Sequence, residues 1–164
     1  MMTWDNLLGA GYDGRRLTSA QQLRGWTSAS DGSYSKLYFC ESNPLQISGG
    51  TLTRSYAVNR YTGGYAIDGA FASAKTSSKI TRIPRPSAFM AMTEWFSTVN
   101  LLGNPSGSGI SNPQNQLDLL PAHFATNNYL FADWHVNAMK TKETWGGGNA
   151  NDPKGIWIKS KSAL

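Results

Sequence analysis

The stretch that most constrains the fold of this chain is residues 123–139, HFATNNYLFADWHVNAM, which lies among segments rich in Gly, Ser and Asn. Its second half predicts a β-hairpin with strands at residues 129–132 and 135–139 and a two-residue turn, Asp133-Trp134. In that register the facing pairs are Phe131–Val136 and Tyr129–Ala138 on an apolar side and Leu130–Asn137 on a mixed side. A hairpin with one apolar side packs that side on a core.

The rest of the chain predicts short elements separated by loops, because 17 Gly and 7 Pro accompany only 15% charged residues. Helices are predicted at residues 4–8 and 19–24, and Thr18 and Gln21 have the spacing of a capping box at the second helix. Strands are predicted at residues 34–39, 54–59, 88–93 and 155–159, with a long surface loop at 103–121. We therefore expect an α+β fold with an antiparallel sheet of short strands, and a single domain over all 164 residues.

Charge and cysteine content exclude several classes of protein. The net charge is +5, but Lys and Arg are scattered rather than gathered in a stripe, so we expect no nucleic-acid partner. The single cysteine, Cys40, allows neither an internal disulfide nor a Cys-based zinc site, and its place after an apolar run indicates a buried thiol. No segment reaches the ~20 apolar residues of a membrane span.

Catalytic and metal-binding patterns are sparse. The sequence contains no phosphate-binding Gly-rich loop and no nucleophile elbow, so we expect a protein that is not an enzyme. His123 and His135 flank Asp133, and these three side chains are candidates for a two-His, one-carboxylate metal site and a metal-dependent hydrolase. The alternative is that Asp133 is a turn residue and His123 a hydrogen-bonding core residue.

Two further carboxylate positions leave alternatives open. Glu94 ends the predicted strand at 88–93, where a carboxylate is either a satisfied hydrogen-bond acceptor or a metal ligand, and we favour the acceptor. The loop at residues 149–152 leaves calcium open, but it has too few anionic groups to assign a site. No other cofactor is indicated.

Six Trp residues are many for this length. We favour large rings that fill a small core between loops. The alternative is an aromatic surface, as in a secreted carbohydrate-binding or adhesion module, with Trp134 and Trp145 as the surface candidates. The exposure of Trp26, Trp134, Trp145 and Trp157 separates the two interpretations.

The spacing from His123 to Asp133, with Asn128 between them and His135-Val136 after them, resembles the H-X9-DG motif of prepilin-type, pseudopilin-like proteins found in Planctomycetes and Lentisphaerae. Three other stretches match that family in the same order: Trp4 with Leu7-Leu8, Phe39-Cys40 followed by residues 54–59, and Ile83-Pro84 with Pro86-Ser87 before the apolar strand that ends at Glu94. The chain departs from the family text in two places. Trp134 stands where the family has Gly, and Ala125-Thr126 replaces a Gly-Gly pair.

The resemblance implies a pilin-like globular head, a minor structural subunit of a type II secretion or type IV pilus-like assembly. Its partners would be other pilin-like or secretion-system subunits. It would contact the membrane only through an N-terminal helix, which we expect to be encoded upstream of Met1 with a prepilin peptidase site. The implied location is the outer side of the inner membrane or the cell exterior, and the implied role is assembly rather than catalysis.

Overall fold

The computed structural model describes residues 8, 11, 16–22, 36–45, 47–48, 51–60, 81, 83–102, 109–110, 113–117 and 123–158. It is a small α+β fold with a mixed five-stranded sheet and a few short helices. The strands are β1 (Ile47–Ser48), β2 (Thr51–Leu52), β3 (Tyr56–Asn59), β4 (Met90–Glu94), β5 (Gly109–Ile110), β6 (Asn127–Phe131) and β7 (Val136–Met139). The helices are α1 (Ser19–Gln22) and α2 (Gln114–Leu117), and 3-10 turns lie at Lys36–Tyr38, Pro86–Ala88 and Thr141–Trp145.

The chain forms two compact units. The first comprises Met1–Ala57 and Trp95–Ser108, and the second comprises Val58–Glu94 and Gly109–Leu164. A single domain over residues 1–164 stays a prediction. Among the residues that the structure describes, no helix combines the length and apolar character needed to cross a membrane.

The first unit is held together by the buried side chain of Asn100. Its Nδ2 group donates to the backbone oxygens of Arg54 at 2.9 Å, Tyr56 at 3.3 Å and Trp95 at 3.0 Å. Its Oδ1 atom accepts a hydrogen bond from Arg54 Nε at 3.1 Å. Both ends of the amide are therefore used in crosslinking two segments that are far apart in sequence, as a buried amide requires.

An apolar cluster of Tyr38, Leu52 and Leu102 lies in the same unit, with Leu8 and Phe39 packed against it. The predicted strand at 34–39 is wrong over residues 36–38, which form a 3-10 turn. The turn buries Tyr38 completely and leaves Leu37 exposed, so one ring anchors the segment without the alternation of a strand. Residues 34 and 35 lie outside the described residues.

The capping box predicted at α1 is confirmed. The Thr18 backbone N–H donates to Gln21 Oε1 at 2.8 Å, and the Gln21 N–H donates to Thr18 Oγ1 at 3.3 Å. This exchange satisfies two of the donors that every helix start leaves without a partner. Residues 23–24 of the predicted helix lie outside the described residues, as do residues 4–7 of the helix predicted at 4–8.

The five-stranded sheet has the order β5-β3-β4-β6-β7. Strands β4, β6 and β7 pair antiparallel as predicted, but β3 and β5 pair parallel, so a purely antiparallel sheet is wrong. The segment predicted as a loop at 103–121 contains β5 and α2, which are too short to leave a periodic pattern in the sequence. The strand predicted at 54–59 is confirmed over residues 56–59 as β3, and the strand predicted at 88–93 is confirmed over residues 90–93 as β4. The latter begins at Met90 because residues 86–88 form a 3-10 turn.

The strand predicted at 155–159 is wrong over its described residues, which form turns. The Lys154 and Gly155 N–H groups both donate to the Trp145 carbonyl oxygen, at 2.7 and 3.0 Å. The Trp157 ring is fully buried, and its Nε1 donates to Thr144 Oγ1 at 2.8 Å. These hydrogen bonds fold the segment into turns, so its backbone does not pair with a neighbouring strand. Its apolar Trp157 ring is instead buried at the turn. Lys159 lies outside the described residues.

The predicted hairpin is confirmed, but its register differs by one residue. The observed pairs are Asn127–Met139, Asn128–Ala138, Tyr129–Asn137 and Leu130–Val136. The loop has three residues, 132–134, because Phe131 N–H donates to the His135 carbonyl at 2.9 Å. A shift of one residue moves every β7 side chain to the opposite face of the sheet. Tyr129 and Phe131 are buried as predicted, whereas Val136 and Ala138 lie on the other face and are exposed.

Trp134 closes this loop in the left-handed conformation, with φ 74°. Its N–H donates to the Phe131 carbonyl at 3.0 Å. A turn followed by one left-handed residue is the usual three-residue hairpin loop, and glycine usually occupies its last position. Trp134 therefore carries backbone strain that glycine would avoid.

Replacing Trp134 with Gly is expected to raise the free energy of unfolding by about 1 kcal/mol, because the left-handed backbone no longer opposes a Cβ atom. The Trp134 side chain is 73% exposed, so little burial is lost. Trp134→Ala is the matched control, since it removes the ring but keeps the Cβ atom. Urea unfolding measures all three proteins. A Gly variant no more stable than the Ala variant would contradict the assigned strain.

Candidate functional site

The most heavily hydrogen-bonded carboxylate of the described chain is Glu94, at the end of β4. Its side chain is 2% exposed. Oε1 accepts from His123 Nε2 at 2.9 Å and from Asn128 Nδ2 at 3.1 Å, and Oε2 accepts from the Asn128 backbone N–H at 2.7 Å. A buried carboxylate needs such donors because removal from water costs several kcal/mol when no partner replaces it. We call this arrangement the Glu94 clamp.

The clamp holds the start of the hairpin against β4. His123 precedes β6 and Asn128 lies within it, so one carboxylate fixes two points of the same segment. The Asn128 groups can only donate hydrogen bonds here, which matches the acceptor role of Glu94. The prediction that Glu94 is a satisfied acceptor agrees with this geometry.

A second polar chain crosses the same strands beside the clamp. The Tyr129 hydroxyl donates to Gln116 Oε1 at 2.9 Å, and Gln116 Nε2 donates to Thr93 Oγ1 at 3.0 Å and to the Glu94 carbonyl at 2.8 Å. Thr93 Oγ1 donates onward to the Asn128 carbonyl at 3.1 Å. Burial raises the pKa of the Tyr129 phenol above its ordinary value, so the hydroxyl remains a donor well into the alkaline range. Helix α2, which supplies Gln116, is thereby fixed to β4 and β6.

Asp133 and His135 form a separate pair at the opposite end of β6. Asp133 Oδ1 lies 2.6 Å from His135 Nδ1 and 3.3 Å from the His135 backbone N–H. Desolvation raises the pKa of Asp133, but the hydrogen bonds and the charge interaction with His135 together outweigh it and hold the pKa below its ordinary value. The His135 ring also stacks on Phe131, with ring centroids 4.2 Å apart. The interpretation of Asp133 as a turn residue agrees with its place in the hairpin loop.

The structure does not bring the three candidate metal ligands together. His123 pairs with Glu94 before β6, whereas Asp133 and His135 pair with each other after it. The five residues of β6 separate the two pairs, a length of roughly 16 Å at ~3.3 Å per strand residue. Metal ligands must converge on one ion at about 2 Å, so this set does not form one site.

The candidate calcium loop is also engaged internally. Asn149 Oδ1 accepts the backbone N–H groups of Asn151 and Asp152, each at 2.9 Å. The Asp152 carboxylate lies 2.8 Å from Lys154 Nζ. The loop is therefore a turn that its own side chains hold closed. These contacts supply no further oxygen ligand for calcium.

The two surface aromatic candidates differ in their environment. Trp134 projects from the hairpin loop and is largely exposed, whereas Trp145 is only partly exposed at the end of a 3-10 turn. Trp157 is fully buried, as is expected of a core ring. Trp26 lies outside the described residues.

The partnership between Glu94 and the pair His123 and Asn128 was missed by reasoning from the sequence. The sequence did contain an indication of this contact. An isolated carboxylate ends an apolar strand, and the predicted hairpin carries hydrogen-bond donors at its start. Only the pairing of β4 with β6, which aligns Thr93 with Tyr129, brings these groups together.

Comparison of this chain with models of protein families, with curated proteins and with solved structures found no match.

Replacing Glu94 with Ala is expected to lower the free energy of unfolding by about 3 kcal/mol or more, because three donors lose their acceptor and a cavity opens. Glu94→Gln is expected to cost about 1–3 kcal/mol, since an amide places an N–H group where a second acceptor oxygen is needed. Glu41→Gln is the control, because Glu41 is exposed. It should change stability by less than about 0.5 kcal/mol. Thermal and urea unfolding measure the series, and a Gln variant as stable as the parent would refute the clamp.

Proposed function

We propose that this chain is the globular head of a minor pseudopilin-like structural subunit in a type II secretion or type IV pilus-like assembly. The proposal starts from the resemblance in sequence, in which four matching stretches follow one another in the family's order. Its partners are other pilin-like subunits, and its location is the outer side of the inner membrane or the cell exterior.

The observation that carries the proposal is the Glu94 clamp. Glu94 ends one of the matching stretches, and its hydrogen-bond donors His123 and Asn128 belong to the H-X9-D motif. The two stretches are thus parts of one interaction, which supports reading them as a single family pattern. Within the motif Asp133 pairs with His135, whereas His123 and Asn128 both donate to Glu94. These contacts support a structural role for the motif side chains.

The backbone of the hairpin gives a second line of support. Ala125 and Trp134 stand where the family motif has glycine, and both residues have a φ of 74°. Glycine is favoured wherever the chain needs this conformation. Positive φ at both positions is therefore compatible with glycine in the family motif, and this supports the resemblance.

The proposal predicts that the full-length protein fractionates with the cell envelope and crosslinks to other pilin-like subunits. A photoreactive amino acid at Leu37 or Val99 reports these contacts, because both side chains are well exposed. The same acid at the buried Leu102 is the negative control. Mass spectrometry identifies the captured proteins.

The DNA sequence upstream of the Met1 codon is an independent test. The expected result is that it encodes an apolar helix and a prepilin peptidase site. A protein confined to the cytosolic fraction, without crosslinks from either exposed position, would overturn the proposal. An in-frame stop codon directly before Met1 would count heavily against it.

A second candidate function is a carbohydrate-binding or adhesion module, and the exposed indole of Trp134 is the observation that favours it. Aromatic rings bind sugars through their faces, so Trp134→Ala should abolish any retention on a glycan array. Val99→Ala is the control, because it removes an exposed apolar side chain that is not part of the hairpin. Equal glycan binding by the parent and Trp134→Ala would exclude Trp134 as the sugar-binding residue.

A further inference from the structure

The outer edge of β7 has no partner among the strands that the structure describes, since β7 ends the sheet order. Val136, Asn137 and Ala138 are exposed, and Val136 keeps 60% of its surface accessible. The strand contains no charged residue and no proline between Val136 and Met139. Charges, prolines and bulges are the features that normally protect an edge strand against pairing with another chain.

The hairpin register determines which backbone groups point outward. Phe131 N–H donates to the His135 carbonyl, so residues 131 and 135 form a hydrogen-bonded pair. Hydrogen-bonded and non-hydrogen-bonded pairs alternate along an antiparallel ladder. The Leu130–Val136 and Asn128–Ala138 pairs are therefore of the second kind, and the N–H and C=O groups of Val136 and Ala138 point away from β6.

We propose that this chain forms a two-fold symmetric dimer through antiparallel pairing of β7 with β7 of a second copy, with Asn137 at the two-fold axis. In this register Val136 of each copy faces Ala138 of the other. The facing residues exchange their outward N–H and C=O groups as hydrogen-bonded pairs. The proposal does not rest on the pilin-like function.

Apolar contacts continue across the same interface. Directly opposed side chains lie on one face, so Val136 packs beside Ala138 of the second copy. Met92, Leu130 and Val136 already form a row across β4, β6 and β7 on that face. Met92 and Leu130 are only partly buried, and pairing extends their row into the second copy.

Charge complementarity selects a second copy as the occupant. Asp133 lies just before β7 and Lys140 just after it, and both side chains are exposed. Antiparallel pairing about Asn137 brings Lys140 of one copy beside the Asp133-Trp134 turn of the other. The two-fold axis repeats this contact, so opposite charges meet at both ends of the interface. The Asp133 carboxylate is anionic at neutral pH, as an aspartate with an ordinary pKa already is.

Sedimentation equilibrium of the 164-residue chain tests the proposal, with a reversible monomer–dimer equilibrium as the expected result. Ala138→Pro removes an outward N–H group and should raise the dissociation constant at least about tenfold. Ala138→Ser keeps that N–H group and is the matched control. Circular dichroism verifies that each variant remains folded.

A charge-pairing experiment probes the two-fold geometry. Asp133→Lys and Lys140→Glu each place like charges at both ends of the interface, so each variant alone should dissociate about tenfold more readily. An equimolar mixture of the two variants restores opposite charges at both ends and should form a heterodimer about as tight as the parent dimer. High salt should weaken the parent dimer, because salt screens the attraction between opposite charges. At high salt neither single variant should dimerise more tightly than the parent.

The proposal is overturned by a parent chain that stays monomeric at about 0.5 mM, by association that continues beyond a dimer, or by a mixture that behaves like the sum of its separate variants. A monomer that instead binds extended peptides at β7 would also overturn it.

Amide hydrogen exchange tests the same pairing without any substitution. The Val136 and Ala138 N–H groups should exchange more slowly at high protein concentration, and equal rates at low and high concentration would contradict the pairing.

Discussion

The second unit depends on one buried carboxylate. Glu94 ends the central strand β4, and its two oxygens accept hydrogen bonds from His123 and from both nitrogens of Asn128. A buried carboxylate without donors would destabilise the fold by several kcal/mol, so the strand and the hairpin must pair in the register that supplies them. The apolar contacts of Tyr129 and Phe131 then follow from that register, because alternate residues of β6 face the core.

The hairpin combines this firm attachment with strained ends. Phe124 and Ala125 before β6 and Trp134 after it all have positive φ. Each such residue costs about 1–2 kcal/mol relative to an ordinary conformation. The strain is tolerated because the clamp, the β6 ladder and the loop hydrogen bonds hold the backbone on either side. Trp134 and Phe124 also leave large rings in solvent, which places apolar surface at both ends of the hairpin.

Two kinds of surface follow from this construction. The inner face of the hairpin is closed by packing, whereas its outer edge on β7 keeps backbone groups that an additional strand can use. The structural role that we propose would use surfaces of this second kind, since such a subunit works through contacts with other chains. The exposed loop with Asp133 and Trp134 borders that edge and supplies both a charge and a ring. The Glu94 clamp, by contrast, uses its hydrogen bonds inside the fold.

The amino-acid sequence by itself determined the short-range features. Thr18 and Gln21 predict their own capping box, and the apolar alternation around Tyr129 predicts a hairpin whose β6 rings are buried, because each depends on neighbours only a few residues away. Only the tertiary structure decided the loop length at Asp133 and hence the face that Val136 occupies, since a left-handed Trp has no sequence signal. Only the tertiary structure joined Glu94 to His123 and Asn128, because their contact depends on the pairing of strands more than thirty residues apart in sequence, which no local pattern encodes.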